Sequence, residues 1–307
     1  MSGMNRYRSL NDHNQKKFGK KVYKLSLSAG LSCPNRDGAC GDRGCIFCSR
    51  GGSGEFASCS ELSIPEQLEQ AKRRVQSKTR DNAYIAYFQP FSNTYGDPAY
   101  LRRIYTEAIA PEFILGLNIA TRPDCLPDDV LDLLSEINAV KPVTVELGLQ
   151  TIHPATAAYI RRGYELSVYD EAVRKLHERG IEVVTHIILG LPGETPEMML
   201  DTVRCVGAVT DGVKLQLLHV LSDTDLADDY AAGKFEVLSL DSYTDILCRA
   251  IEVLPGHVVI HRLTGDGDKR SLIAPLWSAD KKRVLNHIKK ALDDRNVIQG
   301  SKADTHS

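Results

Sequence analysis

Short apolar runs that alternate with helix-length amphipathic stretches are the feature that most constrains the fold of this 307-residue chain. Several of the runs are almost continuously apolar, which is typical of parallel strands covered on both faces. Seven candidate strands are predicted, at residues 22–27, 83–88, 114–120, 143–149, 182–189, 213–220 and 258–263. Repeated βα units of this length predict an α/β fold, either a doubly wound sheet or a barrel.

The helical stretches carry start signals and apolar faces of their own. Ser63 and Glu66 have the spacing of a capping box, and Pro65 suits the first turn of a helix. Residues 241–254 place five apolar side chains on one face at helical spacing. Residues 278–292 predict a terminal helix, followed by a polar tail.

The composition is that of a globular protein without a membrane or secretion signal. Apolar residues make up 42% of the chain and charged residues 25%. No apolar run approaches the ~18 residues that span a bilayer, and the N-terminus lacks the apolar segment of a signal peptide. We therefore expect a cytoplasmic protein.

The N-terminal segment is basic, although the net charge of the whole chain is −2. Residues 1–24 carry seven Lys and Arg side chains against a single acid, Asp12. A segment of this charge forms either a solvated arm or a contact to a phosphate backbone. The charge alone does not choose between the two.

Four of the eight cysteines lie within 16 residues, in the order C-x6-C-x4-C-x2-C: Cys33, Cys40, Cys45 and Cys48. In a reducing compartment such clustering indicates a metal site instead of disulfides. Four thiolates suit tetrahedral zinc, and three of them suit an iron–sulfur cluster with one open iron. Because the loop follows the first strand of a βα series, its position favours the cluster.

Polar and glycine-rich segments follow most of the other predicted strands, at residues 89–96, 121–124, 150–151, 190–195 and 261–266. The carboxyl ends of parallel strands meet at one edge of a sheet or barrel. These segments are therefore expected to gather around the cysteine loop and to form one site with it.

Seven stretches at strand ends carry a family resemblance: FGKKVYKLSLSAGLSCPNRDG, RGCIFCS, YFQPFSNTYGD, IATRPDCL, VELGLQT, HIILGLPGET and HRLTGDG. In this order they resemble the radical S-adenosylmethionine (SAM) superfamily, and within it the YhcC/YtqA-like branch, which is related to the radical SAM domain of the Elongator catalytic subunit. The resemblance implies an α/β fold with a partial (β/α)6 TIM-like barrel at residues 21–265. A basic N-terminal arm, residues 1–20, and a C-terminal helical extension, residues 266–307, would flank it.

The resemblance also implies the cofactors, a [4Fe-4S] cluster and SAM. The cluster ligands that it implies are Cys33, Cys45 and Cys48. Eleven residues separate Cys33 from Cys45, where the commonest loop of the superfamily has three, so the loop is of the lengthened Elongator type. Cys40 matches no ligand position, and it stays open as a replacement for Cys33.

Further strand-end residues are expected to contact SAM, as implied by the resemblance: Gln89, Glu146, Gln150, Arg161, Arg162 and Gly193. Gln89 lies where the family holds the methionine amino group, and the two arginines could pair with the methionyl carboxylate. A structural role in turns or caps is the alternative for each of them. The sequence assigns no further catalytic residue.

The substrate is the least determined part. Part of the branch is associated with the wobble uridine of bacterial transfer RNA (tRNA), so the resemblance implies conversion of carboxymethylaminomethyl-uridine to aminomethyl-uridine. The partners are then tRNA and an electron donor such as flavodoxin or ferredoxin, with no membrane. The basic arm and the cations at residues 281–283 and 289–290 could contact the RNA backbone. Two alternatives stay open: a radical SAM enzyme of a small metabolite or protein, and a zinc-binding, nucleic-acid-binding protein without activity.

Overall fold

A parallel sheet of seven strands forms the centre of the structure, a computed structural model that describes residues 6–52, 57–79, 81–265, 267 and 269–303. Residues 1–5 of the expected arm, and residues 266, 268 and 304–307 of the expected extension, lie outside the described residues. The strands in chain order are β1 (Tyr23–Leu27), β2 (Tyr84–Phe88), β3 (Ile114–Thr121), β4 (Val143–Gln150), β5 (Glu182–Leu189), β6 (Gly212–Leu217), β7 (Val220–Leu221), β8 (Val259–Arg262) and β9 (Leu272–Ala274).

Helices connect the strands and cover the outside of the sheet. They are α1 (Leu10–Phe18), α2 (Ile64–Val75), α3 (Pro98–Ile109), α4 (Asp128–Val140), α5 (Pro154–Tyr159), α6 (Leu166–Glu178), α7 (Pro196–Gly207), α8 (Asp225–Ala231), α9 (Leu240–Val253) and α10 (Lys281–Asp294). The predicted capping box starts α2, where the Ser63 backbone N–H donates to Glu66 at 2.9 Å. No helix in the described part of the chain is both long and apolar enough to cross a membrane.

The sheet is a partial barrel, as predicted. Its strand order is β1-β2-β3-β4-β5-β6-β8, every neighbouring pair is parallel, and the edge strands β1 and β8 do not pair with each other. The apolar face of each strand packs against the helices in one large core, with Leu25, Leu117 and Leu215 fully buried. The inner face instead carries polar side chains, one from nearly every strand.

The predicted strand 213–220 is two strands in the structure. β6 ends at Leu217, and after a break β7 pairs antiparallel with β9 in a separate two-stranded sheet. Leu218 and Val220 belong to a second apolar cluster, beside α8, and not to the main core. An unbroken apolar pattern in the sequence could not reveal this exchange of packing partners.

The basic N-terminal segment packs onto the barrel. A small cavity between α1 and the amino ends of the strands is lined by Leu10, Asn14 and Phe18 together with residues of β1 to β5 and β8. Lys17 pairs with Glu182 at 2.7 Å, and the Arg8 guanidinium donates to the His257 carbonyl at 2.7 Å. The α1 segment therefore lies at the end of the barrel opposite the carboxyl ends of the strands.

Candidate active site

A cavity of about 230 Å³ opens at the carboxyl ends of the strands, where the sequence predicts the site. Its walls bring together seven of the predicted site residues: Cys33, Cys45, Cys48, Gln89, Glu146, Gln150 and Arg162. Arg161 and Gly193 are not among the residues that line it, and Cys40 is exposed outside it. The cavity therefore separates Cys40 from the three cysteines implied as ligands.

Two side chains between the cysteines hold the loop in shape. The Asn35 amide donates to the Arg161 carbonyl at 2.7 Å and lies 3.4 Å from the Cys45 Sγ. The Arg36 guanidinium donates to the carbonyls of Cys48 and Ser49, at 2.9 and 2.7 Å. The cysteine loop is thus tied both to itself and to the segment between α5 and α6.

Gly44 makes this packing possible. Its φ of 76° is in the left-handed region, and a Cβ at this position would lie 2.8 Å from the Arg36 Nε. The backbone conformation favours glycine there, and any side chain would have to displace the Arg36 guanidinium. Gly38, in the same loop, also has a positive φ, of 91°, but a Cβ there would meet nothing within 4 Å.

The three thiols share one environment and fit an iron–sulfur cluster. The pKa of the Cys45 thiol is raised to about 12, first by burial and then by the neighbouring Cys48 and Cys33, against the opposing effects of Arg122 and Asn35. Buried thiols at such a pKa become thiolates when a soft metal centre binds them. Among the described residues, no three Cys, His, Asp or Glu side chains are grouped as ligands of a single ion.

Three residues other than glycine around the site adopt left-handed backbone conformations: Phe91 (φ 60°), Gln150 (φ 70°) and Arg161 (φ 57°). Such conformations cost ~1–3 kcal/mol each and persist where the surrounding structure enforces them. At Gln150 the strain coincides with a register shift between β4 and β5. The strain turns the end of β4 and sets the Gln150 side chain on the cavity wall.

Arg162 and Arg122 are fixed on either side of the Tyr164 ring. Their guanidinium carbons lie 4.6 and 5.2 Å from its centre, respectively. Arg162 donates to the carbonyls of Thr151 and Tyr164, at 2.6 and 3.0 Å, and Arg122 forms a two-pronged pair with Asp124. Burial opposes the charge of Arg122, but the Asp124 carboxylate outweighs it and raises the pKa. Both guanidinium groups therefore reach the cavity in fixed orientations.

The floor of the cavity is a polar cluster on the inner face of the sheet, centred on Glu146, which is fully buried. Its Oε1 accepts from Lys24 of β1 at 2.5 Å and from Asn118 of β3 at 2.9 Å. Its Oε2 accepts from the Tyr87 hydroxyl at 2.8 Å and the Lys214 ammonium, and lies 2.9 Å from the His186 Nε2. Both oxygens of Glu146, predicted as a SAM contact, are thus already engaged by the protein.

Burial and the neighbouring charged groups together determine the pKa values, and so the protonation states, of the residues in this cluster. Burial by itself raises the pKa of Glu146, but Lys214, Lys24 and His186 outweigh it and hold that pKa well below its usual range. Burial and then Lys214 lower the pKa of His186 to about 4, so the imidazole is neutral at pH 7. Burial raises the pKa of Tyr87, and the phenol stays protonated.

Sequence reasoning missed most of this cluster and both loop-holding side chains. Lys24, Tyr87, His186 and Lys214 each interrupt an apolar strand with a polar group. That interruption is the available signal, since a charged residue inside a strand of a covered sheet needs a buried partner. The sequence has no comparable signal for Asn35 and Arg36, whose partners are backbone carbonyls up to 127 residues away.

Comparisons with known proteins agree with this geometry. A family model described as the radical SAM superfamily matches residues 38–206, and one described as the radical SAM C-terminal domain matches residues 210–294. The chain is 44% identical to the uncharacterized protein YtqA of Bacillus subtilis over 296 residues, which cover 96% of this chain and 92% of YtqA.

Two more distant similarities concern the barrel. The solved structure of Methanocaldococcus infernus Elp3 with residues 1–46 deleted has a TM-score of 0.71 at 15% identity, over 91% of this chain and 64% of that chain, and it shows the same fold. The tRNA uridine(34) acetyltransferase of Dehalococcoides mccartyi is 29% identical over 156 residues, which cover 50% of this chain and 33% of that protein.

Proposed function

The chain belongs to the radical SAM superfamily, and from that membership we propose that it is an enzyme that modifies the wobble uridine of tRNA. Membership confirms the predicted enzyme class and its cofactors, a [4Fe-4S] cluster and SAM. When bound, these cofactors supply a 5′-deoxyadenosyl radical, which removes hydrogen from a substrate carbon. The class also needs an electron donor, for which we propose flavodoxin or ferredoxin.

The observation that carries the proposal is the shared cavity of the cysteines and the polar strand ends. Cys33, Cys45 and Cys48 are the proposed cluster ligands, and Gln89 and Gln150 line the same cavity. We assign these two amides and Arg162 to SAM. Arg161 pairs with Asp225 at 2.6 Å and supports the loop through its carbonyl, so we assign it a positioning role. Gly193, whose φ is 84°, shapes the turn after β5 that we assign to the adenine.

The proposed substrate is carboxymethylaminomethyl-uridine at the wobble position. Oxidation of the carbon between its amine and carboxylate gives an imine, and water then releases glyoxylate and leaves aminomethyl-uridine. The two electrons removed from the substrate reduce SAM to methionine and 5′-deoxyadenosine, which balances the reaction. Unpaired bases of an anticodon loop are accessible to such an active site without opening a duplex.

The observations that favour an RNA substrate are less specific than those that favour radical SAM chemistry. The similarity to a tRNA uridine(34) acetyltransferase covers half of the chain. On α10 the cations Lys281, Lys282, Arg283, Lys289 and Lys290 are exposed, which suits contacts to a phosphate backbone. In the N-terminal segment, Arg6, Arg8, Lys17 and Lys24 have partners within the protein, and on α10 Lys290 pairs with Asp294.

The test is mass spectrometry of tRNA from a strain that lacks the gene. We expect carboxymethylaminomethyl-uridine to accumulate at the wobble position and aminomethyl-uridine to fall, with rescue by the wild type but not by Cys45→Ala. Unchanged wobble nucleosides would refute the proposed substrate. Anaerobic reconstitution with iron, sulfide, reductant and SAM tests the chemistry separately, since 5′-deoxyadenosine should form in the wild type and not in Cys45→Ala.

A further inference from the structure

The walls of the cavity carry more positive than negative charge. Of the described residues that line it, five are Arg or Lys, and Glu146 is the one carboxylate. Asp124 balances Arg122 from outside the wall, but Lys24 and Lys214 share the single carboxylate of Glu146. A buried cation without a full counter-charge is costly. The floor of the cavity therefore favours an anionic occupant.

Lys214 has a hydrogen-bond donor to spare for such an occupant. Its ammonium group has three N–H bonds, of which one goes to Glu146 and one to the Tyr87 hydroxyl, at 3.0 Å. The third has no partner among the described residues, although the side chain lines the cavity and the residue is only 5% exposed.

The groups that face Lys214 from the surrounding strands leave its charge poorly compensated. They are Lys24 of β1, Tyr87 of β2, Glu146 of β4, His186 of β5, and His261 and Arg262 of β8. The pKa of Lys214 is lowered to about 7, first by burial and also by Lys24 and Arg262, against the opposing effect of Glu146. His261 and His186 are held neutral, first by burial, and supply no negative charge.

The position of Lys214 separates it from the cluster loop. Lys214 lies three residues before the end of β6, and Asn35 ties the loop to Arg161, in the segment between α5 and α6. The Lys214 side chain reaches Tyr87 and Glu146 on the inner face of the sheet, whereas the cysteines lie on the loop after β1.

We propose that Lys214 binds a carboxylate of the substrate at the floor of the cavity. This inference rests on the proposed function, in which the substrate carries a carboxylate next to the reacting carbon. An ion pair with Lys214, with Tyr87 and Glu146 holding the ammonium in place, fixes that carbon relative to the cavity mouth. The aminomethyl product lacks the carboxylate and cannot form this ion pair, so Lys214 also distinguishes substrate from product.

Binding of the carboxylate is linked to protonation of Lys214. In the free enzyme the amine is largely neutral above pH 7, because its pKa is lowered to about 7. A bound carboxylate favours the ammonium form and raises that pKa. Between pH 7.5 and 8.5 the complex should therefore take up a proton, and affinity for a carboxylate should fall as pH rises.

The experiment is anaerobic calorimetry on the cluster-loaded, SAM-bound enzyme at pH 8, in two amine buffers that differ in heat of ionisation. The ligands are the nucleoside 5-carboxymethylaminomethyluridine, its methyl ester, and 5-aminomethyluridine, with N-methylglycine as a small carboxylate. We expect the free carboxylate to bind at least about tenfold more tightly than its ester, with proton uptake only for the carboxylate.

Three variants assign the effect to Lys214. Lys214→Met should remove the preference for the carboxylate and the proton uptake, and Lys214→Arg should keep part of the preference but not the uptake. Lys78→Met, an exposed lysine outside the cavity, is the matched control and should behave as wild type. If Lys214→Met does not fold, Lys214→Arg and the pH dependence of the wild type still decide the matter.

The outcomes separate this inference from the proposed function. Equal binding of carboxylate and ester by the wild type would overturn the inference, and so would a loss of SAM affinity in Lys214→Met that matches its loss of carboxylate affinity. Lys214-dependent binding of N-methylglycine with no binding of any nucleoside would support the carboxylate site and overturn the wobble-uridine substrate.

Discussion

Glu146 shows how one buried carboxylate can organise the floor of the cavity. The carboxylate is fully buried, and it accepts from four strands while lying next to His186 of a fifth. Both of its oxygens are therefore saturated. Its contribution at this scale is to give Lys24 and Lys214 a shared carboxylate partner on the inner face of the sheet.

Glu146→Gln should accordingly destabilise the fold. The amide keeps the shape of the side chain but removes the counter-ion of the half-buried Lys24 and the buried Lys214, and loss of one partner of a buried pair costs ~3–5 kcal/mol. Urea denaturation measures the free energy of unfolding. The control is Glu178→Gln in the exposed pair with Arg174, which should cost less than about 1 kcal/mol. Equal losses in the two variants would contradict this account of the cluster.

Among the elements, the cysteine loop depends most on backbone geometry. Gly44 and Gly38 both have a positive φ, but a Cβ at position 44 would press on the Arg36 guanidinium and one at position 38 would meet open space. Gly44→Ala should therefore displace Arg36 and, with it, the carbonyls of Cys48 and Ser49. Gly38→Ala carries only the backbone cost, about 1–2 kcal/mol.

The measurement is iron and sulfide per chain after anaerobic reconstitution. Gly38→Ala should retain close to the wild-type iron content, whereas Gly44→Ala should lose most of it. Retention of the wild-type cluster in Gly44→Ala would show that Arg36 does not hold the loop.

The strands and helices were more predictable than the contacts between them. Six of the seven predicted strands match within two residues at each end, because apolar periodicity is local in the sequence. The prediction of one strand at residues 213–220 was wrong, because β7 pairs with β9, which lies more than 50 residues later in the chain. For the same reason the N-terminal segment was expected only as a charged arm. Its packing on the barrel depends on contacts between residues far apart in the chain, such as Lys17 with Glu182 and Arg8 with His257.

On the scale of the whole molecule, the two ends of the barrel differ in what they can offer a large substrate. The cavity and its cysteines lie at the carboxyl ends of the strands, and α1 lies at the amino ends. α10 is joined through β9 to β7, which begins just beyond the carboxyl end of β6. If the proposed RNA substrate inserts a base into the cavity, we expect the RNA to contact the start of α10 and not α1.

Variants that remove positive charge at one end of the barrel or at the other test which end binds the RNA. Replacing Lys282, Arg283 and Lys289 of α10 with Gln should weaken tRNA binding across the tRNAs tested and lower the salt dependence, by a log–log slope of about 1 for each phosphate that is no longer neutralised. Replacing the exposed Lys16, Lys20 and Lys21 at the opposite end removes the same charge and should leave both nearly unchanged. Gel-shift titrations between 50 and 200 mM salt, roughly the range over which such interactions are screened, measure both quantities.

A larger effect of the variants at Lys16, Lys20 and Lys21 would place the RNA on the N-terminal segment and would separate the RNA-binding surface from the cavity mouth.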